Sequence, residues 1–382
     1  MTTLRVIVDD IVAVGGDRLG RYAEDLTRAL IATAPRGTNV AGVVAASPEG
    51  DYALLRERLP GLTELHKSAL ARRELAAAWQ HGFTTLPGNG MVHATSLLAP
   101  LRRHDRLSNP GEQTVVTIHD AIAWTSPELL PSRLASWQRT MGKRAEKYAD
   151  AVVVPTHAVA AELSEQLALG DRLRVIGSAP STALAVPPDS ADRRERLGLP
   201  TRYVLAIVED DAPNGFPDLL AAIGHPDAHG TRLVIVAGAK SAARLMSDSP
   251  SSGATTPDAP WRDRVTVVDP ETDADLSAIY AGAGAYVQPS VAAGFGAPML
   301  DAMAAGLPLV ISDAPALVEV ADDGARVVPR GDNFVAELAA TIAELIEDRP
   351  AAERLGIAAQ DRARAFSWRD AAEKVWQLHA DL

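Results

Sequence analysis

Residues 288–310 read QPSVAAGFGAPMLDAMAAGLPLV. A strand ending near Gln288 runs into Pro289 and Ser290, then into a Gly294-Phe295-Gly296 turn. A helix follows from about Pro298, with Asp301 in its first turn, and a second apolar strand closes the unit at Leu307–Ile311. Proline suits the first turn of a helix, where its missing N–H costs nothing. Glycines let backbone approach a ligand closely, and a helix N-terminus presents unpaired N–H groups at the positive end of a dipole. The segment therefore reads as an anion site fit for a diphosphate, with Asp301 able to accept hydrogen bonds from ribose hydroxyls. A plain glycine turn followed by an acid at a helix start gives the same pattern.

The strand–turn–helix–strand unit repeats along the chain. Short apolar runs at 4–8, 40–45, 115–118, 151–154, 174–176, 203–208, 233–237, 265–268 and 285–287 alternate with longer Ala/Leu/Arg/Glu-rich stretches. Continuous apolar runs of this length suit strands buried on both faces. Between them Tyr22, Leu26 and Leu30 recur at helical spacing. Alternating strand and helix predicts α/β architecture with parallel sheets. The 382 residues exceed one ordinary core. The Pro/Ser/Ala-rich stretch 178–193 reads as a linker, and Ser247–Pro260 as a surface insertion. This predicts two doubly wound Rossmann-like domains, 1–180 and 181–366, facing a central cleft. In such sheets ligands bind beyond the carboxyl ends of the strands.

Composition narrows the function. A net charge of −12 argues against nucleic acid as a partner. With no cysteine, disulfides, thiolate catalysis and a Cys-built zinc site are excluded. No signal peptide and no membrane span is read, and a cytoplasmic location is expected. No G-x-G-x-x-G follows the first strand in register, which weakens a dehydrogenase reading.

The 288–310 segment resembles the donor-site signature of the GT-B retaining glycosyltransferases of family 4, Glu-Gly-Phe-Gly-x-Pro-x-x-Glu-Ala-Met. Gly294, Phe295, Gly296, Pro298, Ala302 and Met303 match, as do Pro289-Ser290 and Gly306-x-Pro308. Further segments fall in the family's order. Gly15-Gly16-Asp17-Arg18-Leu19-Gly20-Arg21-Tyr22 resembles its glycine-rich acceptor-side loop, with two residues inserted. Val115–Asp120 resembles Val-x-Thr-x-His-Asp, and Ala149–Thr156 resembles Ala-Asp-x-Val-x-x-x-Ser. Phe366-Ser367-Trp368 resembles the tail motif, where helix 367–382 packs back on the first domain.

The resemblance implies a fold and an activity. The fold is GT-B. The activity is transfer of a hexose, commonly mannose or glucose, from a GDP- or UDP-linked donor to a saccharide or lipid-linked saccharide acceptor with retention of configuration. No metal or other cofactor is implied. Gly294, Phe295, Gly296, Ala297 and Pro298 would hold the donor sugar and phosphates, and Asp301 would stand at the ribose. Gly16 and Gly20 would line the acceptor-side loop, and His119 with Asp120 would face the reacting sugar. Basic clusters at 66–67, 72–73, 102–104 and 133–147 would suit peripheral membrane contact at the inner face, although ordinary solvated helix faces read the same.

Two positions depart from the family pattern. Ala293 stands where a sugar-contacting Glu is expected. The loop Glu209-Asp210-Asp211-Ala212-Pro213-Asn214-Gly215-Phe216 keeps Asn214 but lacks the Arg and Lys that balance the leaving diphosphate. Losing one positioned donor from such a site typically costs about 10²–10³-fold in rate. Lys240, after the run at 233–237, is a substitute on the correct sheet edge, and a solvated loop lysine reads equally well. A non-catalytic homologue serving as a binding or scaffold partner is the alternative function.

Overall fold

The computed structural model describes residues 2–13, 17–84, 90–105, 108–109, 111–208, 213–238, 241–243 and 260–382. The chain divides into two compact units, Met1–Ala179 with Ser367–Leu382, and Pro180–Phe366.

The first unit holds a parallel seven-stranded sheet. Its strands are β1 (Thr2–Ile7), β2 (Thr38–Ala46), β3 (Glu64–Ala71), β4 (Met91–Ala94), β5 (Gln113–Thr117), β6 (Ala151–Val154) and β7 (Leu173–Val175), in the order β3-β2-β1-β4-β5-β6-β7. One core face packs Ile7, Val43, Trp79, Val116, Ile118, Met141 and Val152 against the helices. The closing helix Trp368–Asp381 starts on a side-chain cap, Ser367 Oγ accepting from the Asp370 N–H at 3.3 Å. It is tied to this sheet by Gln113 Nε2 donating to the His379 carbonyl (3.1 Å) and to helix Asp17–Ala32 by Trp376 Nε1 donating to the Leu30 carbonyl (3.3 Å).

The second unit holds a parallel six-stranded sheet. Its strands are β8 (Val204–Ile207), β9 (Leu233–Val236), β10 (Val265–Val268), β11 (Ala285–Gln288), β12 (Leu309–Ser312) and β13 (Ala325–Val328), in the order β10-β9-β8-β11-β12-β13. One face packs Leu205, Ile279, Tyr286, Met299, Leu309 and Leu317; the other packs Phe216, Leu219, Ile235, Val310, Phe334 and Leu338. Apolar clusters on both faces are what a sheet wound with helices on each side requires.

Three strands are absent from the sequence-based expectation. β3 (ELHKSALA) is an edge strand, mostly solvated, so its composition carries no apolar run. β4 (MVHA) is short and interrupted by the buried His93. β13 (ARVV) is an edge strand with Arg326 and Val327 exposed. Elsewhere the observed strands overlap the expected runs with shifts of a residue or two at their ends.

Strand order places the loops that matter. In each sheet the chain winds outward in one direction and then the other, so the first strand has neighbours from both halves. The switch point lies between β1 and β4 in the first unit and between β8 and β11 in the second. Loops leaving adjacent strands in opposite directions open a crevice there.

Candidate functional site

In the first unit the carboxyl ends of β1, β4 and β5 carry a connected set of polar side chains. Asp9 and Asp10, directly after β1, are both 2% exposed. Asp9 Oδ1 accepts the Ala45 N–H at 2.8 Å, and its other oxygen pairs with Arg72 Nη1. Asp10 Oδ1 accepts from Arg72 Nη2 (2.6 Å), and Oδ2 accepts from Ser96 Oγ (2.7 Å). The two carboxylates hold the Arg72 guanidinium above its ordinary proton affinity against the opposing effect of burial. Arg72 opens helix Arg72–Gln80, so the triad also fixes that helix to the sheet edge. Arg72→Ala leaves two buried carboxylates without their cation; we expect a loss of about 1–3 kcal/mol in urea unfolding, as for a buried group stripped of its partner.

His119 follows β5. Its Nε2–H donates to the Thr95 carbonyl at 2.7 Å, and the Tyr22 ring meets it edge-on at 4.7 Å and 89°. These contacts set the ring plane, with Nε2–H directed at the Thr95 carbonyl. Tyr22 is buried between His119 and Trp368, and burial pushes its hydroxyl up to about 12. Asp120 Oδ1 accepts the Ile122 N–H at 3.1 Å, starting the short helix Ile122–Thr125. Glu162, on helix His157–Ser164, has its carboxyl held above the usual range by burial, then by the nearby charges of Asp120 and Glu165.

Gly20 lies inside helix Asp17–Ala32, not in a loop. A Cβ there would stand 2.8 Å from the Asp10 carbonyl oxygen, so glycine lets the helix seat on the turn after β1. Gly16 lies outside the described residues, as do Glu209–Ala212 and Lys240.

In the second unit the donor-type segment leaves β11. Gly296 has φ +78°, and a Cβ on it would meet Leu317 Cδ2 at 2.6 Å; both facts favour glycine. The helix runs Ala297–Ala304, with Pro298 in its first turn and the Tyr280 hydroxyl donating to the Pro298 carbonyl at 3.0 Å. Phe295 is buried edge-on against Phe366, and Ala293 packs on the same apolar cluster. The position of Asp301 corrects the sequence reading. The helix starts at Ala297, directly after the left-handed Gly296, and Asp301 falls in its second turn. No acid lies in the first turn, and one Asp301 oxygen accepts the Ser181 N–H at 2.8 Å.

The loop after β8 meets this segment at the switch point. The Val291 N–H donates to the Pro213 carbonyl at 2.8 Å, and Gly215, at φ +68°, packs on the Pro289 carbonyl before helix Phe216–Gly224. Ser312 Oγ donates to the Ser290 carbonyl (2.6 Å), and Gln288 Nε2 to Ser290 Oγ (3.4 Å). Asn214 therefore lies one residue from a crossing of the loops that follow β8 and β11.

Asp9, Asp10, Arg72 and Ser96 were not singled out as site residues in the sequence. The available signal was a pair of acids directly after the first strand. Their cation comes from a cluster at 72–73 that reads as an ordinary helix face. Among the described residues no helix is long and apolar enough to cross a membrane.

Comparison with known proteins bears on the family and the fold. The family model Glycosyltransferase Family 4 matches residues 19–179, and Glycosyl transferases group 1 matches residues 203–348. The chain is 30% identical over 232 residues to a D-inositol 3-phosphate glycosyltransferase of Mycolicibacterium vanbaalenii, covering 58% of this chain and 50% of that protein. The chain thus spans about half the length of such relatives. It is 27% identical over 350 residues to the MMP alpha-(1->4)-mannosyltransferase of Mycolicibacterium hassiacum, covering 83% and 80%. The crystal structure of Anabaena Alr3699/HepE in complex with UDP-glucose superposes with a TM-score of 0.70 at 16% identity, over 100% of both chains. The chain belongs to the GT-B glycosyltransferases, with a first domain of the family 4 type and a second of the group 1 type.

Proposed function

We propose that the chain transfers a hexose, mannose or glucose, from a GDP- or UDP-linked donor to a saccharide or lipid-linked saccharide acceptor, with retention of configuration. The observation that carries this is the Gly294–Gly296 turn, which delivers the N-terminus of helix Ala297–Ala304 to the carboxyl edge beside β8. Backbone N–H groups and the helix dipole there suit a diphosphate. The mannosyltransferase similarity favours mannose, and Anabaena Alr3699/HepE holds UDP-glucose on the same fold.

In the proposed reaction the bond from the sugar C1 to the diphosphate oxygen breaks. The acceptor oxygen bonds C1 on the same face, and its hydroxyl proton passes to the departing diphosphate. The protein's part is positioning and charge, supplied in the second unit by Gly294–Pro298 and in the first unit by His119 with Asp120. Asp301, one of whose oxygens accepts the Ser181 N–H, is the acid proposed to meet the ribose. No metal or other cofactor is required by this scheme.

Ala293 and the acids at 209–211 favour a second reading, a homologue that binds without turning over. Calorimetry with UDP, GDP and their glucose and mannose conjugates, paired with donor-hydrolysis assays, separates the two. Binding with slow hydrolysis is expected, and His119→Ala should then lower hydrolysis by about 10²-fold with donor affinity retained. A chain that binds none of these nucleotides is not a transferase of this type. Binding without hydrolysis or transfer identifies the scaffold.

A further inference from the structure

We propose that Arg330 supplies the positive charge for the donor diphosphate that the 209–215 loop lacks. The inference rests on the donor-site reading above and adds a residue to it. Arg330 follows β13, the edge strand, yet its side chain reaches back across the carboxyl end of the sheet. Nη1 donates to the Pro289 carbonyl at 2.8 Å, and Nη2 pairs with Asp218 in the first turn of helix Phe216–Gly224. Its own N–H donates to Asp313 Oδ1 at 3.1 Å, and its guanidinium lies over the Phe334 ring at 4.4 Å.

Those contacts put the guanidinium at the switch point. A methyl placed on Gly215 would stand 3.3 Å from Arg330 Nη1. Gly215 adjoins Asn214, in the loop whose expected cations are missing. A charge lost from one loop is thus replaced from another element at the same crossing. The aromatic stack and the carbonyl contact hold the side chain in place before ligand arrives, so little rotamer freedom remains to be lost. A quarter of the side chain remains exposed, which leaves donor capacity facing solvent. Asp218 is its competitor: in the free protein that carboxylate takes the charge a diphosphate would use.

This competition gives tests in both directions, read by calorimetry on the full chain with UDP and GDP and with uridine and guanosine. Arg330→Gln should weaken binding of the preferred diphosphate roughly 10–100-fold, the range for a lost hydrogen bond to a charged group. Affinity for the matching nucleoside should stay within about twofold, because the cation serves the phosphates alone. Arg330→Lys should recover part of the loss. Asp218→Asn should tighten diphosphate binding by roughly threefold or more, which a merely structural arginine would not produce. Equal losses for diphosphate and nucleoside, or unchanged diphosphate affinity, overturn the assignment while leaving the donor site intact. If Arg330→Gln fails to fold, Asp218→Asn decides, and unchanged or weaker diphosphate binding there overturns it. A wild-type chain that binds neither UDP nor GDP overturns the donor-site reading itself, and the assignment with it.

Discussion

Gly215→Ala should destabilise the second unit by about 2–5 kcal/mol and lower its thermal midpoint by roughly 5–15 °C. Two costs add. The residue sits at φ +68°, where a side chain costs about 1–2 kcal/mol. The new methyl would also overlap the Pro289 carbonyl oxygen, a backbone atom that cannot rotate away. Overpacking of this kind typically costs about 1–3 kcal/mol. The carbonyl is held by Arg330, and the neighbouring Val291 N–H is bonded to Pro213, so movement would pass to both loops. Nucleotide affinity should fall with stability. Gly198→Ala is the control: it has a similar φ of +65° with nothing within 4 Å of the added methyl. It should show the conformational cost alone. Equal midpoints for the two variants would show that Gly215 is needed only for its backbone angle, and not for the approach of the two loops.

That crossing shows where sequence reasoning reaches and where it stops. Buried parallel strands announce themselves as unbroken apolar runs, so β6, β8, β9 and β11 are legible in the chain. An edge strand is legible only where it stays mostly apolar, as β7 and β10 do; one side of an edge strand pairs with nothing and polar residues are tolerated there, which hides β3 and β13. The Gly-Phe-Gly turn is legible because φ +78° at Gly296 and the adjacent Leu317 leave few alternatives. Contacts between residues distant in sequence have no local signature. Arg72 meets Asp9 and Asp10 from more than sixty positions away. Arg330 reaches Pro289 and Asp218 from 41 and 112 positions away. Both arginines sit in stretches that read as ordinary solvated surface. The second-turn placement of Asp301 was hidden for another reason: a one-residue shift in helix start turns on backbone angles that proline and glycine only bracket.

The first unit should lose about 4 kcal/mol of stability between pH 7.5 and pH 5 through one pair of side chains. His93, on β4, is fully buried, and among the described residues neither ring nitrogen has a hydrogen-bond partner. His379, on the closing helix, faces it with ring centroids 5.7 Å apart. His379 Nδ1 bonds Gln113 Oε1 at 2.9 Å, while Nε2 is buried with no partner among the described residues. Burial, with the neighbouring His379 adding to it, pushes His93 down to about 3; burial pushes His379 down to about 4. The unfolded chain titrates both near 6.5, so below that pH it binds protons that the folded chain refuses. Stability from this pair is therefore complete above pH 6.5 and falls as pH drops, down to the folded values. At pH 5 each site is about 1.5 pH units below its unfolded value, worth about 2 kcal/mol. Glu162, whose carboxyl burial raises, works in the opposite direction from about pH 4.5 upward, so the comparison must be made against a variant. His93→Leu removes one titrating group and its unpaired nitrogens together. Urea unfolding at pH 7.5 and pH 5 should show wild type losing more than the variant by about 2 kcal/mol. Because His379 lies on the helix that returns to this sheet, near-UV signal from Trp376 should be lost with the same midpoint shift. Parallel pH slopes for wild type and variant would mean that His93 is already protonated or solvated in the folded chain, which its complete burial beside a second histidine argues against.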